Sequence, residues 1–361
     1  MPDATRPVPK ERRPGRGAAS RETGRFERHV REDVQDGWDI PEDLPVLRTF
    51  VSDEVARSVI NYVRSPDLPF DRSLNPYRGC EHGCIYCFAR PSHAYLGLSP
   101  GLEFETRLIA RPNAPQVLAR ELRARRYAVA PIAIGTNTDP YQPIERDRGI
   151  MRACLEVLRD FRHPVAIVTK GTLIERDLDI LSDMAAQGLV RVGISVTTLD
   201  AGLSRRMEPR CPAPARRLAV IRRLTEAGVP VRVMASPMVP ALTDPELEAI
   251  LTAGRGAGAT SASWIMLRLP REVADLWQEW LQEHYPDRAA RIMGHLRAMH
   301  GGEVYSSAWH KRMRGEGPYA QIIAQRFDRA ARALGLNDAQ PPLRCDLFRP
   351  PARAGDQLSL F

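Results

Sequence analysis

Short runs of apolar and β-branched residues alternate with longer amphipathic stretches from about residue 71 onward. Such runs predict buried strands, and apolar residues three or four positions apart predict helices. The predicted strands cover residues 73–77, 131–135, 164–169, 190–196, 231–235 and 263–267. The predicted helices cover residues 116–127, 148–161, 173–187 and 216–227, and a further helix begins near residue 243.

The regular alternation of strand and helix predicts parallel βαβ units, because parallel neighbours need a crossover that returns the chain to the same edge. Six units predict an α/β fold over residues 71–270, a partial (β/α)6 barrel of the TIM type. In such sheets the chemistry lies at the carboxyl ends of the strands. Amphipathic stretches at 271–299 and 319–334 predict a helical C-terminal region that extends over residues 271–345.

Both ends of the chain lack this periodicity. Residues 1–38 are rich in Arg, Pro and Gly and predict a flexible, basic arm, which an N-terminal extension follows at 39–70. Residues 346–361 predict a flexible tail. No stretch approaches the roughly 20 apolar residues that cross a bilayer, and the Arg-rich start lacks the apolar segment of a signal peptide. We therefore expect a cytoplasmic protein with no membrane partner.

The composition is that of a globular protein. With 43% hydrophobic and 27% charged residues, a chain of 361 residues can bury one large core. The excess of 52 Lys and Arg over 44 Asp and Glu gives a net charge of +8, which is compatible with a polyanionic partner such as nucleic acid. Nearly all the cations are Arg, and a GC-rich genome would produce the same excess. Charge alone therefore leaves the partner open.

Six cysteines are too few for a disulfide scaffold in a chain of this length, and three of them crowd into the segment NPYRGCEHGCIYC. Cys80, Cys84 and Cys87 form a CxxxCxxC motif. An electron-transfer [4Fe-4S] cluster takes four thiolates, so three thiolates leave one iron open. The alternative is a structural zinc site, which needs a fourth ligand such as His82 or His93 and usually a second CxxC pair. Because the chain has no second pair, the motif favours a cluster.

The cysteine motif, with Tyr86 just before the third cysteine, resembles the signature of the radical S-adenosylmethionine (radical SAM) superfamily. The resemblance implies a [4Fe-4S] cluster on Cys80, Cys84 and Cys87 whose open iron binds S-adenosylmethionine. One-electron reduction would cleave this cosubstrate to a 5′-deoxyadenosyl radical, which makes the three cysteines catalytic as well as metal-binding. It also implies an electron donor such as a flavodoxin or ferredoxin.

Four segments resemble a narrower group of that superfamily, the spore photoproduct lyase-like proteins, also described as DNA repair photolyase-like. They are NPYRGC at 75–80, GTNTDPYQPIE at 135–145, TKG at 169–171 and SPMVPALTD at 236–244. The resemblance implies repair chemistry of the lyase type on damaged or modified DNA bases. In the lyase, a cysteine near the end of the second strand returns a hydrogen atom to the product, and residues 135–140 contain no cysteine. Cys211, in the loop after the fourth strand, could take the place of that cysteine. We interpret it instead as an ordinary loop residue, so this step is not inferred for the chain.

S-adenosylmethionine needs polar groups for its ribose and carboxylate and an apolar slot for its adenine. Six residues at or near strand ends are candidates to bind it: Thr136, Thr138, Asp139, Lys170, Ser195 and Met234. The Lys170 ammonium would neutralise the carboxylate of the cosubstrate, and the resemblance implies the same placement for Lys170 and Ser195. The alternative interpretation makes these residues loop caps and strand ends with no contact to the cosubstrate.

The segment QLSLF at residues 357–361 resembles the motif by which bacterial replication and repair proteins bind the sliding clamp of DNA polymerase. Leu360 and Phe361 would enter an apolar groove while Gln357 hydrogen-bonds at its rim, with Leu358 between them. The alternative is an apolar segment that folds back on the domain. Clamp binding would tie the enzyme to DNA, from which the attacked base must be extruded.

Other functions stay open at this point. The same radical chemistry can act on RNA, a protein or a small molecule, and a non-catalytic iron–sulfur protein is a further alternative. Four aromatic residues of the C-terminal region would suit base stacking but are expected in the core: Trp277, Trp280, Tyr305 and Trp309.

Overall fold

The structure, a computed structural model, describes residues 15–21, 23–27, 47–338 and 340–352. Its strands are β1 (Phe50–Asp53), β2 (Ile60–Tyr62), β3 (Arg72–Leu74), β4 (Tyr77–Arg78), β5 (Arg107–Ala110), β6 (Ile132–Ile134), β7 (Val165–Thr169), β8 (Val190–Ser195), β9 (Val231–Met238) and β10 (Ser261–Met266). All six predicted strands are present, as β3 and β6 to β10. The predicted strand 73–77 is divided in the structure, because β3 ends at Leu74 and β4 begins at Tyr77. The strands β1, β2 and β5 were not predicted, because they are short and carry no regular alternation.

Eleven α-helices lie in the described ranges. They are α1 (Leu102–Thr106), α2 (Ala114–Leu122), α3 (Glu145–Arg148), α4 (Ile150–Asp160), α5 (Leu178–Ala186), α6 (Ala201–Met207), α7 (Pro214–Glu226), α8 (Leu247–Gly256), α9 (Val273–His284), α10 (Pro286–Met299) and α11 (Gly317–Ala333). Short 3-10 helices cover Arg90–Leu96, Thr172–Asp177 and Asp244–Glu246. Over the described ranges, none of these helices combines the length and the apolar character that a bilayer crossing requires.

The main sheet has seven strands in the order β10-β9-β8-β7-β6-β3-β2. The six strands from β3 to β10 in this order pair in parallel, and β2 adds an antiparallel edge strand to β3. In the part of the chain described, β10 and β2 do not pair, so the barrel stays open. The order confirms the predicted α/β fold, a partial barrel of the TIM type. A second sheet, β1-β5-β4, lies outside that prediction.

The core lies between the parallel sheet and its helices. On β8, Val190, Val192 and Ile194 are buried, as alternation on a covered strand predicts. Cys154 on α4 is fully buried among the apolar residues of that helix. This packing leaves the carboxyl ends of the strands free for polar side chains.

The C-terminal helices pack as predicted, with one correction among the aromatic residues. Trp277 and Trp280 are buried on α9, with their ring centres 4.9 Å apart. Tyr305 is only partly buried. The expectation of core packing is wrong for Trp309, which is 50% exposed, because it lies in the loop between α10 and α11 and not on a helix face.

Parts of the two ends that were predicted to be flexible pack against the domain. Ala18 is fully buried in the predicted arm, because the backbone N–H groups of Gly17 and Ala18 donate to the Glu105 carboxylate. Because these contacts use backbone N–H groups, no pattern of apolar residues in the sequence predicted that this segment is packed. Near the other end, the ring of Phe348 packs against that of Phe161. The predicted clamp-binding segment lies outside the described residues.

Candidate functional site

The cysteine loop, residues 79–87, follows β4. It lines a cavity together with residues at the carboxyl ends of strands of the main sheet. The backbone of Cys80 donates to the carbonyl of Phe104 (2.9 Å), and Cys87 donates to the carbonyl of Cys84 (3.2 Å). Cys80 and Cys84 are buried, Cys87 is partly buried, and all three thiols are free. Three thiols on one short, hydrogen-bonded loop therefore face the same cavity.

The back of this loop is held by a buried ion pair and by residues 15–21, here called the N-terminal strap. Glu105 pairs with Arg90 at 2.5 Å, and both side chains are fully buried. The same carboxylate accepts the backbone N–H groups of Gly17 and Ala18, each at 2.9 Å. A Cβ atom on Gly17 would lie 1.8 Å from the carbonyl oxygen of Gly83, so only glycine allows this approach. The strap therefore seals the loop from behind.

The segment GTNTDPYQ braces the loop from the neighbouring strand end. The backbone of Asn137 donates to the Asn75 side chain (3.2 Å), and the Thr138 hydroxyl donates to the carbonyl of Tyr77 (3.3 Å). The Gln142 side chain accepts from the backbone of Glu81 (2.9 Å) and donates to the carbonyl of residue 79 (3.2 Å). These hydrogen bonds tie β6 to the cysteine loop.

Asp139 joins this brace to the TKG segment. Its carboxylate accepts the Thr169 hydroxyl (2.6 Å) and the Lys170 backbone N–H (2.8 Å), and it lies 3.3 Å from Nδ1 of His82. Burial would raise the pKa of Asp139, but His82 and the hydrogen bonds outweigh it and lower the pKa to about 2. The carboxylate is therefore ionised, and its acceptor sites are used mainly by the protein.

The Lys170 side chain lies near a buried charge network. Its ammonium is 5.8 Å from the centre of the Tyr86 ring. The Tyr86 hydroxyl donates to Glu208, which also binds the Arg217 guanidinium. Burial would raise the pKa of Glu208, but Arg217 and Lys170 lower it to about 2. Arg217 further donates to the carbonyl of Ser195 (3.2 Å), so the network fixes the end of β8.

A single cavity of about 700 Å³ collects the side chains predicted to bind the cluster and the cosubstrate. Its lining includes Cys80, Cys84, Cys87, Thr136, Thr138, Asp139, Lys170, Ser195 and Met234. The predicted partner-binding residues Gln357, Leu358, Leu360 and Phe361 lie outside the described ranges. The fold accounts for the placement of Thr136, Thr138, Asp139, Lys170 and Ser195, which lie at or just beyond the carboxyl ends of the parallel strands β6, β7 and β8. Met234 lies within β9, and the three cysteines lie on the loop that follows β4.

The donor set at the cavity fits an iron–sulfur cluster. Over the described ranges, no three His, Cys, Asp or Glu side chains converge as ligands of a single metal ion. His93 is fully buried, and its Nε2 atom hydrogen-bonds to the carbonyl of Arg107 (2.9 Å). A mononuclear zinc site thus finds no ligand set, whereas in a cluster each iron takes its own thiolate.

Several residues at the site were missed by the sequence analysis. Cys211 was interpreted as an ordinary loop residue, but its Sγ atom lies 3.7 Å from that of Cys84. Glu105 and Glu208 were not singled out, because nothing in their local sequence marks a buried carboxylate. Arg268 lines the cavity two residues beyond β10. Its position at a strand end was the one signal that would have found it.

Comparisons with known proteins identify the family of the chain. The family model of the radical SAM superfamily matches residues 74–253, which include the cysteine loop. An uncharacterised protein of Mycobacterium tuberculosis is 38% identical over 240 residues, 66% of this chain and 71% of that protein. An uncharacterised protein of Methanocaldococcus jannaschii is 26% identical over 191 residues, 53% of this chain and 68% of that protein.

Among solved structures, spore photoproduct lyase complexed with dinucleoside spore photoproduct has a similar fold, with a TM-score of 0.56 at 13% identity over 79% of each chain. A double mutant of the same lyase, with bound S-adenosylmethionine and the dinucleoside, gives a TM-score of 0.55 at 12% identity. The superfamily uses an iron–sulfur cluster and S-adenosylmethionine, and its members need a reductant. The chain belongs to the radical SAM superfamily.

Proposed function

We propose that the protein is a radical SAM enzyme in which Cys80, Cys84 and Cys87 hold a [4Fe-4S] cluster with one open iron. The observation that carries the proposal is the cavity itself, which brings three free thiols together with Lys170 and Ser195. When bound and reduced, the cluster supplies the electron that cleaves S-adenosylmethionine to a 5′-deoxyadenosyl radical. Flavodoxin or ferredoxin is the proposed electron donor, and the cytoplasm the proposed location.

The chain's own residues would bind and orient the cosubstrate. Lys170 lines the cavity, and its ammonium would bind the carboxylate of the methionyl group. Ser195 and Thr136 offer hydroxyls for the ribose or carboxylate, and the Met234 thioether offers an apolar wall for adenine. Thr138 and Asp139 act mainly as positioning residues in this proposal, since the Thr138 side chain is hydrogen-bonded to the backbone of β4 and the Asp139 side chain to the TKG segment.

The proposed substrate is a damaged or modified base in DNA. The net charge of +8 and the arginines along the cavity wall suit a polyanion. The lyase of similar fold is complexed with a dinucleoside photoproduct, which lends the DNA assignment support by analogy. A base in a duplex must leave the stack to enter the cavity, and a lesion lowers the cost of extrusion.

The test is anaerobic incubation of the reconstituted, reduced enzyme with S-adenosylmethionine and lesion-bearing DNA. The proposal expects more 5′-deoxyadenosine in the presence of the DNA, together with a changed base. Undamaged DNA, RNA and a protein extract are the matched controls. Cleavage that only RNA or protein stimulates would show that the substrate is not DNA. A cluster that can be reduced but does not cleave S-adenosylmethionine would favour a non-catalytic iron–sulfur protein.

The sliding clamp is a second proposed partner, through Gln357, Leu358, Leu360 and Phe361. A peptide covering residues 346–361 is expected to bind the purified clamp, and Phe361→Ala in that peptide should abolish binding. Equal binding by both peptides would contradict the proposal.

A further inference from the structure

Among the residues that the structure describes, four arginines line the cavity, and three of them are paired with carboxylates. Arg78 and Arg111 share the Glu54 carboxylate at 3.4 and 3.0 Å. Arg312 pairs with Asp67 at 2.6 Å. Each of these three arginines therefore has a protein carboxylate within 3.4 Å, although Arg78 and Arg111 share one.

Arg268 differs from them. In the described part of the chain, its guanidinium pairs with no carboxylate, and its buried Nε atom has no hydrogen-bond partner. The guanidinium lies 4.6 Å from the centre of the Phe88 ring and donates to the Tyr305 hydroxyl (3.3 Å). Phe88 directly follows Cys87, so this uncompensated cation stands beside the cysteine loop.

A guanidinium that is partly withdrawn from water is costly unless an anion or a set of carbonyl oxygens faces it. Its planar fork matches the oxygens of phosphate and carboxylate groups. Next to it, Phe88 is 44% exposed, which offers an aromatic side chain at the same point of the wall. A cation beside an aromatic face is the combination that proteins use to hold nucleotides in single strands.

We infer that Arg268 binds a phosphodiester group of the nucleic-acid substrate, and that Phe88 contacts the adjoining base. The inference rests on the proposed function and names two residues that would bind its substrate. A second aromatic–arginine pair extends the rim: the Arg312 guanidinium lies 4.7 Å from the centre of the Trp309 ring, which is 50% exposed. The strand would thus be held at the mouth while its extruded base points toward the thiols.

The experiment measures binding of a fluorescent single-stranded oligonucleotide to the reconstituted enzyme, by anisotropy over a series of salt concentrations. Arg268→Gln should weaken binding about tenfold or more and lower the slope of log K against log salt by about one. Arg268→Lys keeps the charge and should retain the slope while losing part of the affinity. It also serves as the second variant if Arg268→Gln does not fold.

The matched control is Arg206→Gln. Arg206 also lies over an aromatic ring, that of Tyr285 at 5.3 Å, but it is on α6 and does not line the cavity. Its substitution removes the same charge and should change affinity less than about twofold.

The two proposals fail in different ways. If the unsubstituted enzyme binds no oligonucleotide, the DNA assignment fails and the role of Arg268 with it. If the enzyme binds the oligonucleotide and Arg268→Gln binds it equally well, the inference alone is overturned. Preferential binding of an acidic peptide of equal charge, lost in Arg268→Gln, would assign the guanidinium to a carboxylate instead and would also overturn the inference.

Discussion

The back and the front of the cysteine loop differ in how their polar groups are satisfied. At the back, Glu105 accepts Arg90 and two backbone N–H groups of the N-terminal strap, all of them buried. At the front, Ser236 Oγ and Arg268 Nε are buried at the cavity wall and have no hydrogen-bond partner. Buried polar atoms without partners are rare in native proteins. The polar groups named at the back are therefore satisfied within the protein. At the front, these two buried polar atoms are left without a protein partner, and a bound ligand would supply one.

This difference predicts two kinds of variant. Substitutions at the back should lower the free energy of unfolding and, through it, the retention of the cluster. Substitutions at the front should weaken ligand binding and leave the free energy of unfolding nearly unchanged. A variant that behaves in the opposite way would break the comparison.

The largest effect is expected for Glu105→Ala. It leaves the Arg90 guanidinium buried without a counter-charge, which should lower the free energy of unfolding by about 3–5 kcal/mol. Urea denaturation of the reconstituted protein measures the change. Glu156→Ala is the control, because Glu156 pairs with Arg152 on the surface and should contribute less than about 1 kcal/mol. Equal midpoints for the two variants would show that the back of the loop is not held in this way.

Lys170→Met tests the front. The loss of a hydrogen bond to a charged group costs about 1.5–3 kcal/mol, so the affinity for S-adenosylmethionine should fall at least about tenfold. Equilibrium dialysis with the reconstituted enzyme measures it. The urea midpoint should fall much less than in Glu105→Ala, because Arg217 still pairs with Glu208. Lys311→Met is the control, since Lys311 pairs with Glu316 on the surface. Unchanged affinity in Lys170→Met would remove this residue from the cosubstrate site.

A smaller effect is expected for Gly17→Ala, because the strap can shift outward to relieve the contact. The added methyl would meet the carbonyl of Gly83, at a cost of about 1–2 kcal/mol. Limited proteolysis should cut the strap faster, and the cluster absorbance should decay faster in air. In the control Gly294→Ala the methyl meets open space on a helix, so stability should stay equal or rise slightly. Similar decay in both variants would contradict a sealing role for the strap.

The features that could be predicted from the sequence are those that local residue patterns determine. The parallel strands and the cavity at their carboxyl ends follow from apolar periodicity and from the CxxxCxxC motif. The strap was missed because its bonds to Glu105 join residues 87 and 88 positions apart and use backbone N–H groups. For Arg268, the position after a strand was visible in the sequence, but the missing counter-charge is a property of the folded chain alone.

Cys211 poses the sharpest question for the account, because its thiol lies 3.7 Å from that of Cys84. The central claim is that three cysteines hold the cluster and leave one iron for S-adenosylmethionine. Anaerobic iron and sulfide analysis with a 5′-deoxyadenosine assay, on the unsubstituted chain, Cys84→Ala and Cys211→Ala, tests it most directly. The unsubstituted chain and Cys211→Ala are expected to contain about four irons and four sulfides per chain and to cleave the cosubstrate. Cys84→Ala is expected to lose the cluster and the cleavage. A single bound zinc, or a cluster that disappears in Cys211→Ala, would contradict it.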